Sequence, residues 1–361
     1  MIEARAAGKL FVAGEYAVVE PGGSAVVIAV DRHVTVRLQS ATGRGAVRSE
    51  QDGHRPFGWR RDETGAVLED DRPVDHVFSA IRTVETLVAD LGLAPRFHSI
   101  AISSELDDAS GRKFGLGSSG AVTVAAVRAL DELYGLRLTR TELFKLALLA
   151  TVDVAPTSSG GDVAASCFGG WVAYRSPDRA ALAALRQRDG VLAALRTPWP
   201  HLEISRLPAP AGLDLVVGWT GEAASTSDLV DDVHARRSMQ SLSYDRFLAE
   251  SRARVEELTA GLRDGRPEQV LGAVHAARRL LVGLGTTLGI DIETPALTRL
   301  CEAAEGVGAA AKSSGAGGGD CGIVLAPAGT DLEPMLRGWQ QAGIRRLALA
   351  VAPPVVDLAA E

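Results

Sequence analysis

Three glycine-rich stretches, far apart along these 361 residues, constrain what the chain can become more than anything else in it. They are Gly8-Lys9-Leu10-Phe11-Val12-Ala13-Gly14-Glu15-Tyr16, Lys113-Phe114-Gly115-Leu116-Gly117-Ser118-Ser119-Gly120, and Lys312-Ser313-Ser314-Gly315-Ala316-Gly317-Gly318-Gly319-Asp320-Cys321. Each contains a lysine, although the chain has only four lysines against 34 arginines. Where arginine serves for nearly every positive charge, a surviving lysine marks a place that needs a compact, flexible ammonium. Bare backbone N–H groups that approach closely, with a cation beside them, are how proteins hold phosphate. The pattern reads as a phosphate-handling enzyme.

Composition narrows the partners. A net charge of -7 argues against nucleic acid or an anionic membrane. No apolar run approaches the roughly 18 residues of a membrane span. The N-terminus opens on a candidate strand without the regions of a signal peptide, so a cytoplasmic protein is expected. Cys167, Cys301 and Cys321 are odd in number and far apart, which argues against a disulfide framework, and the seven histidines form no metal-binding spacing. The length suggests two domains, and self-association is left open.

β-like and helical signals alternate. Leu10–Val12, Ala25–Val30 and Val34–Leu38 are candidate strands, with Pro21-Gly22-Gly23 as a turn. Residues 40–75 read as a polar hairpin or long loop. Helices are expected at Val77–Leu91, Ser118–Tyr134 and Thr141–Thr151, the last with a capping box from Thr139 and Glu142. Phe97–Ser103 is a strand between them. Residues 178–212 carry Pro198, Pro200, Pro208 and Pro210 and hold the expected boundary, giving domains 1–200 and 201–361. Beyond it lie strands at Leu213–Trp219, Gly322–Leu325 and Arg345–Val351. Helices are expected at Thr226–Leu262 (continuous or broken), Pro267–Leu284, Pro295–Glu305 and Leu332–Gln341.

The central stretch carries the most chemistry. Gly115, Leu116, Gly117, Ser118, Ser119 and Gly120 run into a helix, so N–H groups and the positive helix end converge on an anion, with Lys113 beside them. The same string satisfies G-x-G-x-x-G, but polar Glu105–Lys113 separates it from the preceding strand, which disfavours dinucleotide binding. A Walker A motif is absent, since Ala121-Val122 follow Gly120.

These three stretches, in this order, resemble the motifs of the GHMP kinase superfamily, and the likeness covers nearly the whole chain. Within it, Glu15-Tyr16, Lys113-Phe114, Gly161-Asp162-Val163 and Gly218-Trp219-Thr220-Gly221 are most similar to the members acting on 5-phosphomevalonate. The resemblance implies an α+β, two-domain GHMP kinase fold: an N-terminal domain like ribosomal protein S5 domain 2 and a ferredoxin-like C-terminal domain. It also implies ATP and Mg²⁺ as cofactors and γ-phosphoryl transfer to 5-phosphomevalonate, a small-molecule substrate. Lys9 and Asp162 then take the catalytic positions, and Lys113 with Gly115–Gly120 holds the nucleotide. Ser119 is a Mg²⁺ ligand, with Asp153 a weak acidic candidate. Tyr16, Ser158, Ser159, Ser225, Thr226, Lys312, Ser314, Gly315, Gly317 and Gly318 are expected at the substrate.

Phosphoryl transfer asks a protein mainly to position reactants and neutralise phosphate oxygens. A phosphate acceptor, with a second pKa of about 6, is already mostly ionised at neutral pH. Asp162 is therefore expected to orient Lys9 and the acceptor more than to remove a proton. Plainer readings stand beside these: Asp162 as a helix cap, Ser119 as an N-cap hydroxyl, Lys312 at a helix C-terminus. Three rival functions remain: a mevalonate kinase or other small-alcohol kinase of the superfamily, a non-catalytic nucleotide-binding regulator, and a dinucleotide-dependent oxidoreductase.

Overall fold

The computed structural model describes residues 1–355 except 51, 52, 54, 64, 70–74, 109, 223–225 and 238–240. Its first sheet is built on two long antiparallel strands, β1 (Ile2–Ala13) and β2 (Ser24–Ser40). The two separate strands expected at Ala25–Val30 and Val34–Leu38 are one. The intervening polar residues stay extended because neighbours on both sides satisfy their backbone: Arg5 and Ala6 of β1 face Thr35 and Val34, and Asp31 N–H donates to Ala350. Of the alternatives for residues 40–75, the described part is the hairpin: β3 (Gly45–Ser49), β4 (Phe57–Arg61) and β5 (Val67–Glu69) pair antiparallel, widen the sheet and bury Trp59 completely.

The remaining strands of this sheet are β6 (His98–Ser104), β7 (Trp171–Arg175) and β8 (Glu203–Leu207), in the order β5-β4-β3-β6-β2-β7-β8, with β1 on the other edge of β2. Four helices pack around it: α1 (His76–Asp90), α2 (Ser118–Tyr134), α3 (Arg140–Val154) and α4 (Gly161–Phe168). The Ala- and Leu-rich interior of α2 is almost wholly buried, as its composition requires. The Thr139 capping box on α3 is present in both directions. A further helix, α5 (Arg179–Arg196), interrupted at Gly190, occupies part of the stretch expected to hold the domain boundary.

We place the passage between the two sheets at residues 208–212, a little beyond the expected boundary, because β8 pairs with β7. The second sheet then runs β9 (Leu213–Trp219), β10 (Ala310–Ser313), β11 (Cys321–Pro327) and β12 (Arg345–Leu347), in the ferredoxin-like order β10-β11-β9-β12. Its helices are α6 (Thr226–Arg237), α7 (Ser241–Arg263), α8 (Pro267–Leu288), α9 (Pro295–Glu305) and α10 (Glu333–Gln341). The long helix expected from 226 is indeed broken. After β12 the chain crosses back to the first sheet: Ala352 N–H donates to Ala29, Gly170 N–H to Ala352, and Val355 N–H to Phe168. Among the described residues, no helix is long and apolar enough to cross a membrane.

Candidate active site

Where β1 ends, the first and second glycine stretches meet. Lys9 N–H donates to the Leu116 carbonyl at 2.8 Å, and the Lys9 ammonium donates to the Gly115 carbonyl at 3.1 Å. Gly117 is left-handed and is the N-cap of α2, without a side-chain cap, so the N–H groups opening this helix stay available to an anion. A β-carbon at Gly117 would fall 2.8 Å from Lys9 Cε, which explains why only glycine fits beside this lysine.

A second helix start lies across the cleft. Gly160, also left-handed, caps α4 without a side chain; Gly161 N–H donates to Ser159 Oγ, and Asp162 sits in the first turn, held through its own Oδ1 to Val163 N–H at 2.9 Å. The Tyr174 hydroxyl donates to the Ser159 carbonyl at 2.7 Å and braces this turn. The α2 end thus keeps its N–H groups open towards an anion, while the α4 end is taken up by Ser159 and by the Asp162 carboxylate.

These residues line a cleft of about 600 Å³ that gathers Lys9, Tyr16, Lys113, Ser118, Ser119, Ser158, Ser159, Asp162 and Gly315 of the expected set. Gly115, Leu116 and Gly117 line it too, while Gly120 backs onto Asp162. A neighbouring cleft of about 470 Å³ shares His76, Lys113, Ser118 and Ser119 with the first and is walled by apolar Val34, Val47, Ile102 and Val122.

Several expected roles change. Lys9 and Asp162 form no direct ion pair among the described residues: Lys9 lies beside Gly117 and Asp162 beside Gly120, on the first turn of α2. Lys312 does not reach the cleft. Its ammonium is fully buried and bonds to Glu15. Ser314 Oγ is spent on β1, accepting from Phe11 N–H at 2.8 Å and donating to the Phe11 carbonyl at 3.0 Å. Gly318 N–H donates to the Ile292 carbonyl and Gly317 packs on the same carbonyl, both within the second domain, while Lys312, Ser314 and Ala316 bond across to Glu15, Phe11 and Tyr16 of the first. Asp153 pairs with Arg186 at 2.6 Å outside the cleft. Ser225 lies outside the described residues, as does the side chain of Thr226.

Sequence reasoning passed over His76, Glu15, Asp320 and Asp231, all of which line the large cleft. His76 opens α1 behind the Asp75 cap, between the two clefts; burial, more than any neighbour, holds its imidazole below the usual range, so it is neutral at pH 7. The Tyr16 phenol is raised, by burial first and the Glu15 charge second, and donates to Ala316. Glu15 and Asp320 stood in plain view within two of the three motifs.

The family GHMP kinases N terminal domain matches residues 76–170, and GHMP kinases C terminal matches residues 260–345. Two helix ends over a lysine-bearing glycine loop, joined to a ferredoxin-like domain, define a small-molecule kinase of this kind. The chain belongs to the GHMP kinase family. It is 47% identical, over 96% of each chain, to the phosphomevalonate kinase of Streptomyces sp.. Among solved structures it is similar to a Listeria innocua protein, with TM-score 0.92 and 33% identity over 98% of each chain. It is also similar to Streptococcus pneumoniae phosphomevalonate kinase in complex with phosphomevalonate and AMPPNP, with TM-score 0.83 and 32% identity, covering 97% of this chain and 100% of that one.

Proposed function

We propose that this chain is a phosphomevalonate kinase, transferring the γ-phosphoryl group of ATP to (R)-5-phosphomevalonate to give 5-diphosphomevalonate and ADP. The observation that carries this reading is the 47% identity, over nearly the full length of both chains, to a protein of that name. The paired clefts agree with it. The smaller one, with Val34, Val47, Ile102 and Val122 beside polar groups, suits a nucleotide base, the larger one suits the acceptor, and the α2 N-terminus with Lys113 lies between them.

In the transfer, the bond from the γ-phosphorus to the ADP oxygen breaks and a bond to an acceptor phosphate oxygen forms. Lys9 and Lys113 neutralise the charge that spreads over the transferred group, and the opening N–H groups of α2 hold the donor phosphates. The acceptor is ionised at working pH, so Asp162 serves to position it. Besides Glu15, whose charge Lys312 takes, Lys9 and Lys113 share the cleft with the carboxylates of Asp162, Asp231 and Asp320. A cleft with so few cations needs a further one to bring two polyanions together. The oxygen donors Ser118, Ser119 and Asp162 suit Mg²⁺, which takes few protein ligands and completes its shell with phosphate and water. Bound there with ATP, the ion would neutralise phosphate oxygens.

The test is ADP release with Mg-ATP against mevalonate, 5-phosphomevalonate, 5-diphosphomevalonate, homoserine and galactose, with phosphorus NMR on the product. Turnover on 5-phosphomevalonate with a new diphosphate signal is expected. Turnover confined to an alcohol would overturn the acceptor, and silence across the panel would overturn the catalytic reading.

A further inference from the structure

Lys312 and Glu15 meet in the wall of the large cleft, from opposite domains. Glu15 follows the end of β1, is only 4% exposed, and lines the cleft beside Tyr16. Lys312, in β10, is buried behind it with no exposed surface, and donates both to the Glu15 carboxylate and, at 2.5 Å, to the Ser313 carbonyl. The surroundings hold this pair rigidly, through the bonds of Ser314 to Phe11 and of Tyr16 to Ala316.

A carboxylate at this place would oppose the chemistry if left alone. Lys9 and Lys113 already face Asp162, Asp231 and Asp320, and two phosphate-bearing molecules must enter the same space. In a partly dehydrated wall one more uncompensated negative charge acts at long reach. The compact ammonium fits where arginine does not, since a guanidinium brings five donors into a site offering two acceptors.

Resting on the kinase reading above, we propose that Lys312 is the internal counter-ion of Glu15, a positioning residue that keeps the cleft wall electrically neutral so that phosphate-bearing ligands bind, without touching them. The lysine of the third glycine stretch thereby acts on phosphate through a carboxylate.

The experiment compares Lys312→Met, Glu15→Gln and the double variant, reading ADP affinity by calorimetry at low and high salt, then KM and kcat for both substrates. Lys312→Met is expected to weaken ADP binding on the order of tenfold, with the deficit shrinking at high salt. The double variant, which removes both charges, is expected to regain most of that affinity. A double variant as weak as Lys312→Met overturns the proposal, because loss of a direct phosphate contact or of packing would not be rescued by Glu15→Gln. If Lys312→Met fails to fold, the double variant decides: a folded protein binding ADP tenfold more weakly than the parent overturns it. A parent protein silent on 5-phosphomevalonate would defeat the acceptor reading while leaving the ADP comparison intact.

Discussion

Asp162 presses against the backbone of Gly120: its Oδ2 lies 2.5 Å from the point where a β-carbon on Gly120 would sit. The carboxylate is thus wedged between the starts of two helices, and its direction is fixed by the missing side chain opposite. Gly120→Ala is expected to displace Asp162 and lower kcat as much as Asp162→Asn does, with little change in thermal stability. Both losses should stay at or below about a hundredfold if Asp162 positions an acceptor that is already ionised. Steady-state kinetics check this, and a fall well beyond the range of general-base removal would return the proton-abstracting role to Asp162.

Lys9 is fastened at both ends, by its backbone to Leu116 and by its ammonium to Gly115, so its charge is aimed before any ligand arrives. Lys9→Met should reduce kcat by about 10²–10³-fold, the usual cost of one pre-set electrostatic group. Circular dichroism should be unaltered. A change confined to KM would mean that Lys9 serves binding alone.

His98 gives the first sheet a pH dependence. Burial holds its pKa down at about 4, against 6.5 when unfolded, and its Nε2 has no hydrogen-bond partner between Trp59 and the Arg96 carbonyl. A depressed histidine costs nothing above pH 6.5. As pH falls from 6.5 towards 4, the unfolded chain takes the proton first, and stability is lost by up to about 3 kcal/mol. Urea unfolding across that window should show the loss, and His98→Phe should flatten it. An unchanged slope in the variant would assign the effect to other groups.

The fourth lysine, Lys145, lines neither cleft. From α3 it donates to the carbonyls of Leu195 and Thr197, at 2.9 and 2.8 Å, closing the C-terminal end of α5. Lys145→Met should cost about 1–3 kcal/mol by leaving these carbonyls without their donor, and should leave kcat and KM alone. Thermal melting and kinetics on the same preparation separate the two effects.

Local signals were readable wherever one segment decides its own structure. The helix at Ser118–Tyr134, the Thr139 cap, the strand Leu213–Trp219 and the helix Pro295–Glu305 follow from periodicity and capping residues in the chain itself. The central glycine loop and Lys9 were legible for the same reason. What failed was non-local. Lys312 looks like a phosphate ligand until Glu15, 297 residues away, is seen to take its charge. Asp153 looks available until Arg186 claims it. The polar composition of residues 40–75 left hairpin and loop open, and the edge that β6 offers to β3 goes with the hairpin. The helix α5 hid behind Gly190 and the prolines that follow it.

The return of residues 350–355 to the first sheet sets an order of events for the whole molecule. Ala29, Asp31, Phe168 and Gly170 wait for backbone partners that are the last described residues of the chain. A ribosome releases β1 and β2 early, yet their sheet stays one segment short until the second domain has been threaded past it. Completion of the first sheet therefore waits on the second domain, and a product truncated before residue 350 would carry the glycine loops without the clasp that closes behind them.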